Sequence, residues 1–287
     1  MPLVTLPQVS RRGFLITGAA FLPLRAASAE ARWALFSDTH IPADSNDSYR
    51  GFQPVVNLTM AVRQAVRTKP EGVIICGDVA RLEGKIEDYE AVRLLIEPLT
   101  SATPVAMALG NHDDRENFWK GFGSNQKGME PVKNRHVVVL DPGPVRFVML
   151  DSLISANNTP GLLGKAQRTW LAGWLPKNTD KPVVVFVHHT LDDGDGSLLD
   201  APRLFDIVKG VPQVKAIIYG HSHIYKYDQW EGIHLINLPA IGYNFRDGDP
   251  VGWIESVFTA KGGHFTLRAI GGNREKDGQT TRLVWRS

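Results

Sequence analysis

Cysteine is almost absent: Cys76 is the single one in 287 residues. One thiol excludes an intramolecular disulfide framework. It sits in the apolar run Gly72-Val73-Ile74-Ile75-Cys76, which predicts a packed thiol rather than a reactive one. An excess of one charge is missing too. Lys+Arg 32 stand against Asp+Glu 30. Three of the basic residues, Arg11, Arg12 and Arg25, fall within residues 1–29, which hold no acid; the remainder carries 29 basic against 30 acidic residues. No Lys/Arg run is left there to suit a nucleic acid or an anionic membrane surface. Internal repeats, low-complexity tracts and interdomain linkers are also lacking. A hydrophobic fraction of 43% excludes general disorder, and the length suffices for a single domain with a full core.

What is present begins with an address. Ser10-Arg11-Arg12-Gly13-Phe14-Leu15 leads into a short apolar stretch, Leu15 to Leu24, and then Ala27-Ser28-Ala29. Basic, apolar and small residues in that order are the signature of a removable export signal. The apolar stretch is too short for a membrane-spanning helix, which needs about 20 residues. The Arg-Arg pair followed by x-Phe-Leu resembles the twin-arginine type. This implies the export machinery as a partner, a periplasmic or secreted location, and no stable membrane insertion once residues 1–29 are removed. The plainer alternative is a disordered arm. Residues 30–287 are expected to form one domain with a β-rich C-terminal portion.

Within that domain short β-rich apolar runs end in polar residues. Trp33 to Ser37 leads to Asp38, and Val73 to Cys76 leads to Gly77-Asp78. Val105 to Leu109 leads to Gly110-Asn111-His112, and Val145 to Leu150 to Asp151. Val183 to Val187 leads to His188, and Val214 to Tyr219 to Gly220-His221. Apolar residues at helical spacing predict helices over 54–67 (Val55, Leu58, Val62, Val66), 85–99 (Ile86, Tyr89, Val92, Ile96) and 165–175 (Trp170, Leu171, Trp174). Strands alternating with helices predict an α/β fold. Four later runs, 233–238, 253–259, 264–270 and 282–285, read as an antiparallel second sheet. Residues 123–134 and 192–197 read as long surface loops.

Open α/β sheets bind ligands beyond the carboxyl ends of their strands, and here metal-type ligands fall at those ends. Asp38-Thr39-His40 and His221-Ser222-His223 each have i, i+2 spacing, which in extended chain points both side chains the same way. Carboxylate and amide oxygens mixed with imidazoles suit Mn, Fe or Zn better than Ca or Mg, and the lack of thiolates speaks against a structural zinc site. Any one of these pieces is a weak signal. Their order is a strong one.

Asp38-Thr39-His40, Gly77-Asp78, Gly110-Asn111-His112-Asp113, His188-His189 and Gly220-His221-Ser222-His223 together resemble the ordered blocks of the calcineurin-like metallophosphoesterases. The resemblance runs from about Trp33 to Ala240. It implies a four-layer α/β/β/α sandwich, two mixed sheets flanked by helices. It also implies a site for two divalent or trivalent transition metal ions. Carried over by position, Asp38, His40 and His223 would bind one ion, Asn111, His188 and His221 the other, and Asp78 would bridge. Adjacent strand residues face opposite ways, so His189 is the weaker ligand of its pair, and His112 cannot easily bind beside Asn111. The resemblance places His112 beside the substrate, oriented by Asp113, as the catalytic pair. The reaction it implies is hydrolysis of a phosphate ester by a metal-bound hydroxide.

Gly77-Asp78-Val79-Ala80 leading through Gly84 to Tyr89, and Asp113-Asp114-Arg115 after Asn111-His112, resemble the branch holding bacterial cyclic-nucleotide and glycerophosphodiester phosphodiesterases. That favours a small phosphodiester, contacted by Asn111 and His112 and by the loop residues Tyr243, Asn244 and Arg246. Thr190 departs from the pattern, where many relatives have Pro. Two alternatives stay open: a phosphomonoesterase of the same fold, and a non-catalytic metal-dependent phosphate-ester-binding protein. The resemblance also allows a homo-oligomer.

Overall fold

The alternation of short apolar runs with amphipathic segments becomes, in the computed structural model, two mixed six-stranded sheets. The structure describes residues 29–124 and 127–287; apart from Ala29, the expected export signal lies outside the described residues. One sheet contains β1 (Glu30–Phe36), β2 (Gly72–Cys76) and β3 (Val105–Ala108). The other contains β4 (Val138–Leu140), β5 (Arg146–Met149), β6 (Val183–Phe186), β7 (Val214–Tyr219), β8 (Lys226–Trp230) and β9 (Ile233–Asn237). The last three strands, β10 (Pro250–Thr259), β11 (Gly262–Gly272) and β12 (Thr280–Val284), return to the first sheet. The orders are β12-β11-β10-β1-β2-β3 and β4-β5-β6-β7-β9-β8.

This corrects one expectation. The C-terminal runs do not make a second antiparallel sheet of their own. Residues 233–237 join the second sheet, parallel to β7. The β10 strand pairs antiparallel with β1, from Glu30↔Thr259 to Leu35↔Ile254. Without β10, β1 would expose a row of unpaired backbone groups above a fully apolar face.

Burial on both faces makes the layers. All five residues of β2 are buried. Ile74 and Cys76 face the inter-sheet core with Phe147 and Phe186. Val73 and Ile75 face outward, beneath the helices α1 (Pro54–Thr68), α2 (Ile86–Leu95), α3 (Glu97–Thr100) and α4 (Arg115–Phe122). The helices α5 (Gly164–Trp174) and α6 (Ala201–Val208) cover the second sheet in the same way, over Val148, Val185 and Ile217. The result is the α/β/β/α sandwich.

The helix expected over 85–99 is interrupted at Ile96, where φ is −91° and ψ 0°. Pro98 is the cause: it has no N–H for the Leu94 carbonyl, and its ring crowds that oxygen. Two helices went unforeseen. In α4, Asp114 is an N-cap whose side chain accepts from Asn117 N at 2.8 Å. In α6, a proline stands in the first turn and Ala201, Leu204 and Val208 are buried on one face.

Candidate metal centre

The carboxyl ends of β1, β2 and β3 and those of β6 and β7 open onto one edge of the sandwich. Asp38, Asp78 and Asn111 follow the first three strands, and His188 and His221 the other two. Two loops lie side by side there: Asp38 N donates to Gly77 O (3.1 Å), His40 N to Asp78 O (3.0 Å) and Ile41 N to Val79 O (3.1 Å).

The side chains converge for a different reason from the one expected. Neither Asp38-x-His40 nor His221-x-His223 is extended. Asp38 (φ 52°), His40 (48°), Asp78 (48°), His221 (69°) and His223 (56°) are all left-handed. Each such residue costs about 1–2 kcal/mol, strain that a folded protein concentrates where function requires it. The same turns demand close backbone approach. At Gly110 a Cβ would stand 2.2 Å from Asp78 Oδ1 and 2.5 Å from Asp78 N, so no side chain fits between the two loops.

Among the described residues three clusters result, each with ligand atoms within 4.8 Å of one another: Asp38, His40 and His223; His40, Asp78 and His112; Asp78, His188 and His221. Asp78 belongs to two of them. Its Oδ1 lies 3.3 Å from His188 Nε2 and its Oδ2 3.7 Å from His40 Nε2. Asp38 Oδ1 lies 3.4 Å from His223 Nε2, and the Ser37 hydroxyl donates to Asp38 Oδ2.

Backbone carbonyls fix the imidazoles from behind. His188 Nδ1 donates to Cys76 O (2.7 Å), His223 Nδ1 to Tyr243 O (2.6 Å) and His40 Nδ1 to Arg81 O (3.3 Å). A carbonyl can only accept, so in the neutral rings Nδ1 carries the proton and Nε2 turns a lone pair inward. His40 and His223 then place two Nε2 lone pairs 3.1 Å apart, an arrangement that only a shared cation or proton relieves. Asn111 Oδ1 is buried with no hydrogen-bond partner among the described residues, although buried polar atoms are nearly always paired. These donors fit a transition-metal ion.

The electrostatics set the charge of each group. Burial opposes ionisation of Asp38 and Asp78. Even so, His223 and His188 beside Asp38, and His188 and His40 beside Asp78, hold both carboxyls below the usual range. Burial would lower His188, but the carboxylates of Asp78 and Asp38 hold it up, at about 9, so its Nε2 carries a proton that a bound cation would have to displace. Burial pushes His40 down to about 3 and His221 down to about 4, leaving both neutral, the state a ligand needs.

Other expected residues lie elsewhere. His189 uses both nitrogens, Nδ1 with Ser152 Oγ (2.7 Å) and Nε2 with Thr159 O (3.0 Å). His112 lines the cleft, but Asp113 does not orient it. The Leu82 carbonyl does, accepting from His112 Nδ1 at 3.0 Å. Asp113 is fully buried and accepts instead from Val79 N, Ala80 N, Gly110 N and Tyr89 OH. The turn that bonds Asp113 N to Gly110 O folds its side chain inward. Tyr243 is 3% exposed; its ring stacks on His40, with centroids 4.8 Å apart, so it supports the site rather than a substrate. Asn244 is buried against the Asp249 carbonyl. Arg246 pairs with Asp249 at 2.7 Å and does not line the cleft.

That cleft measures about 470 Å³. Besides site residues it is lined by Thr159, Thr190, Asp192, Ser197 and Phe245; Thr190 marked the departure from the family pattern, Asp192 and Ser197 bound an expected loop, Phe245 shares the loop of Tyr243 and Arg246, and Thr159 was not foreseen. Phe245 lies in an irregular loop with no periodic pattern to reveal it. Thr190 and Ser197 share a 2.8 Å hydrogen bond. Among the described residues, no lysine or arginine lines the cleft.

The comparisons with known proteins agree with this geometry. Residues 31–225 match the family described as calcineurin-like phosphoesterase. A glycerophosphodiester phosphodiesterase of Enterobacter lignolyticus is 28% identical over 217 residues, covering 72% of this chain and 76% of that one. A 3',5'-cyclic adenosine monophosphate phosphodiesterase of Pseudomonas aeruginosa is 27% identical over 232 residues, covering 78% and 80%. The crystal structure of a dimetal phosphatase from Danio rerio superposes with a TM-score of 0.72 at 15% identity, over 89% of this chain and 99% of that one. With its strand-end clusters, its sandwich and this match over most of its length, the chain belongs to the calcineurin-like phosphoesterase family.

Proposed function

We propose that the chain hydrolyses a small phosphodiester at a two-metal site. Asp78 carries the reading. Its Oδ1 faces His188 and its Oδ2 faces His40, so one carboxylate serves two clusters. Asp38, His40 and His223 would hold one ion, and Asn111, His188 and His221 the other. Such ions, when bound, supply charge neutralisation at phosphorus and a water acidic enough to attack it.

The chain's own residues do the rest. Leu82 O holds His112 Nδ1–H, which leaves Nε2 for the cleft, where the protonated ring would give its proton to the leaving oxygen. The lining favours a diester over a monoester. Among the described residues it offers no lysine or arginine to a second phosphate charge. It also includes Asp192, which the Ser197 hydroxyl's hydrogen bond holds below the usual carboxylate range and therefore anionic. The names of the phosphodiesterase relatives point the same way.

The test is hydrolysis by protein reconstituted with manganese, zinc or ferrous iron. Bis(p-nitrophenyl) phosphate should be cut in preference to p-nitrophenyl phosphate, and a panel of cyclic nucleotides and glycerophosphodiesters would then name the substrate. Preference for the monoester would overturn the diester reading. Metal binding with no hydrolysis of either would point to the receptor alternative. We also propose twin-arginine export to the periplasm or beyond, supported by Arg11-Arg12 and Ala27-Ser28-Ala29. Unchanged export of an Arg11→Lys, Arg12→Lys variant would refute it.

A further inference from the structure

We infer that Tyr89 and Asp113 form a positioning latch that sets Asp78 and His112 in register. The inference rests on the metal-site reading above, although its first readout is metal affinity rather than turnover. The loops after β2 and β3 exchange carboxylates. Asp78, on the first loop, accepts the amide of His112 at 2.9 Å through Oδ1. Asp113, on the second, accepts the amides of Val79 (3.2 Å) and Ala80 (3.1 Å) from the first, and that of Gly110 (2.9 Å). Each loop thus satisfies backbone donors of the other, and neither can shift alone without orphaning buried N–H groups.

Tyr89 closes the latch. Its hydroxyl accepts from Asp114 N (2.9 Å) and donates to Asp113 Oδ1 (3.1 Å), and Tyr89 is itself fully buried in α2. With four donors around it, Asp113 has little capacity left, which fixes its carboxylate in one orientation. Gly84 makes room: at φ +61°, a Cβ there would stand 2.0 Å from Asp114 N. The segment from Gly77-Asp78-Val79-Ala80 through Gly84 to Tyr89, and the Asp113-Asp114 pair, are therefore one device. Through them Tyr89 and Asp113 hold the shared carboxylate and the cleft histidine at a fixed separation, while their own side chains touch neither substrate nor metal ligand. Residues that orient a metal's ligands are typically worth about 10–100-fold in metal affinity or activity.

The test is Tyr89→Phe, which removes the hydroxyl and keeps the ring packed edge-on against Phe118, 5.6 Å between centroids. Calorimetric titration with manganese, zinc or ferrous iron should show the Kd weakened about 10-fold or more. On bis(p-nitrophenyl) phosphate kcat should fall by a similar factor while KM stays within about 2-fold, since ground-state binding is untouched. Asp113→Asn should move the same quantities further. Phe118→Leu is the control: it loosens the same packing while keeping every hydrogen bond to Asp113 and Asp114, its own backbone bond to Asp114 O included, so it should lower Tm and leave the metal Kd alone. The latch is refuted by an unchanged metal Kd in folded Tyr89→Phe and Asp113→Asn proteins, or by an equal shift in Phe118→Leu. A weakened Kd in a protein that cuts no phosphate ester would sustain the latch and sink the substrate reading. Wild-type protein that binds none of the three metals would overturn both.

Discussion

His112 stands apart from the buried His40, His188 and His223. It is partly exposed, lines the cleft and is held at Nδ1 by a carbonyl. Removing it leaves Asp38, His40, Asp78, Asn111, His188, His221 and His223 in place. His112→Ala is therefore expected to keep its metal content while kcat falls about 10²–10⁴-fold, the usual worth of a general acid. Elemental analysis beside steady-state kinetics would check it, and normal turnover in the metal-replete variant would remove the role. His136 makes the opposite case. Trp119 Nε1 donates to its Nδ1 at 3.2 Å and its Nε2 donates to Met107 O at 3.0 Å, because an indole can only donate and a carbonyl only accept. Protonating Nδ1 would break the first bond. Burial, only partly offset by Asp151, pushes its pKa below the ordinary 6.5. A histidine depressed on folding stabilises above its unfolded pKa, and that stability is lost as pH falls. The drop in denaturant midpoint between about pH 7.5 and about pH 5.5 should shrink in His136→Gln. An equal drop in both proteins would exclude the histidine as a source.

At the scale of elements, function rests on turns. The approach of the Gly110 turn to Asp78 leaves no space for a methyl group. Gly110→Ala must push the β3 loop away from Asp78, so it should fold yet lose metal affinity and activity together, unlike His112→Ala. Retained metal at full stoichiometry would contradict this. The sequence made the strand ends and their polar residues legible, because a short apolar run followed by Asp, Asn or His is a local pattern. Through the order of five motifs it made legible which Asp, Asn and His residues gather at that edge. The left-handed conformations of Asp38 and His40 were not legible, because backbone hydrogen bonds to the neighbouring loop impose them. Tyr243 and Arg246 misled for a similar reason: a tyrosine or arginine in a loop carries no sign of whether it meets solvent, substrate or, as here, His40 and Asp249. The destination of β10 depends on which strand edge stays unpaired, a property of the assembled sheet. Pro98 could have been used locally to split the helix.

At the scale of the whole molecule the site is a seam. Asp38, Asp78 and Asn111 come from one sheet, and His188, His221 and His223 from the other. The apolar layer between the sheets holds them together beneath this edge, with Phe147 packed edge-on against Trp33 and Phe258. At the edge itself the facing groups are polar: two low-pKa carboxylates, inward imidazole lone pairs and the partnerless Asn111 Oδ1. A cation shared by these donors would tie one sheet to the other, and unfolding would have to release it. At a free concentration 100 times its Kd, one such ion adds about 2.7 kcal/mol to stability. For a domain of this size, each kcal/mol is worth about 2–4 °C in Tm. Manganese or zinc added to chelator-treated protein should therefore raise Tm by about 5–10 °C, more if two ions bind independently. The Asp78→Ala variant, lacking the shared carboxylate, should lose most of that rise along with its activity. A Tm indifferent to metal in the wild-type protein, or an equal rise in Asp78→Ala, would mean that the ions are not held across this seam.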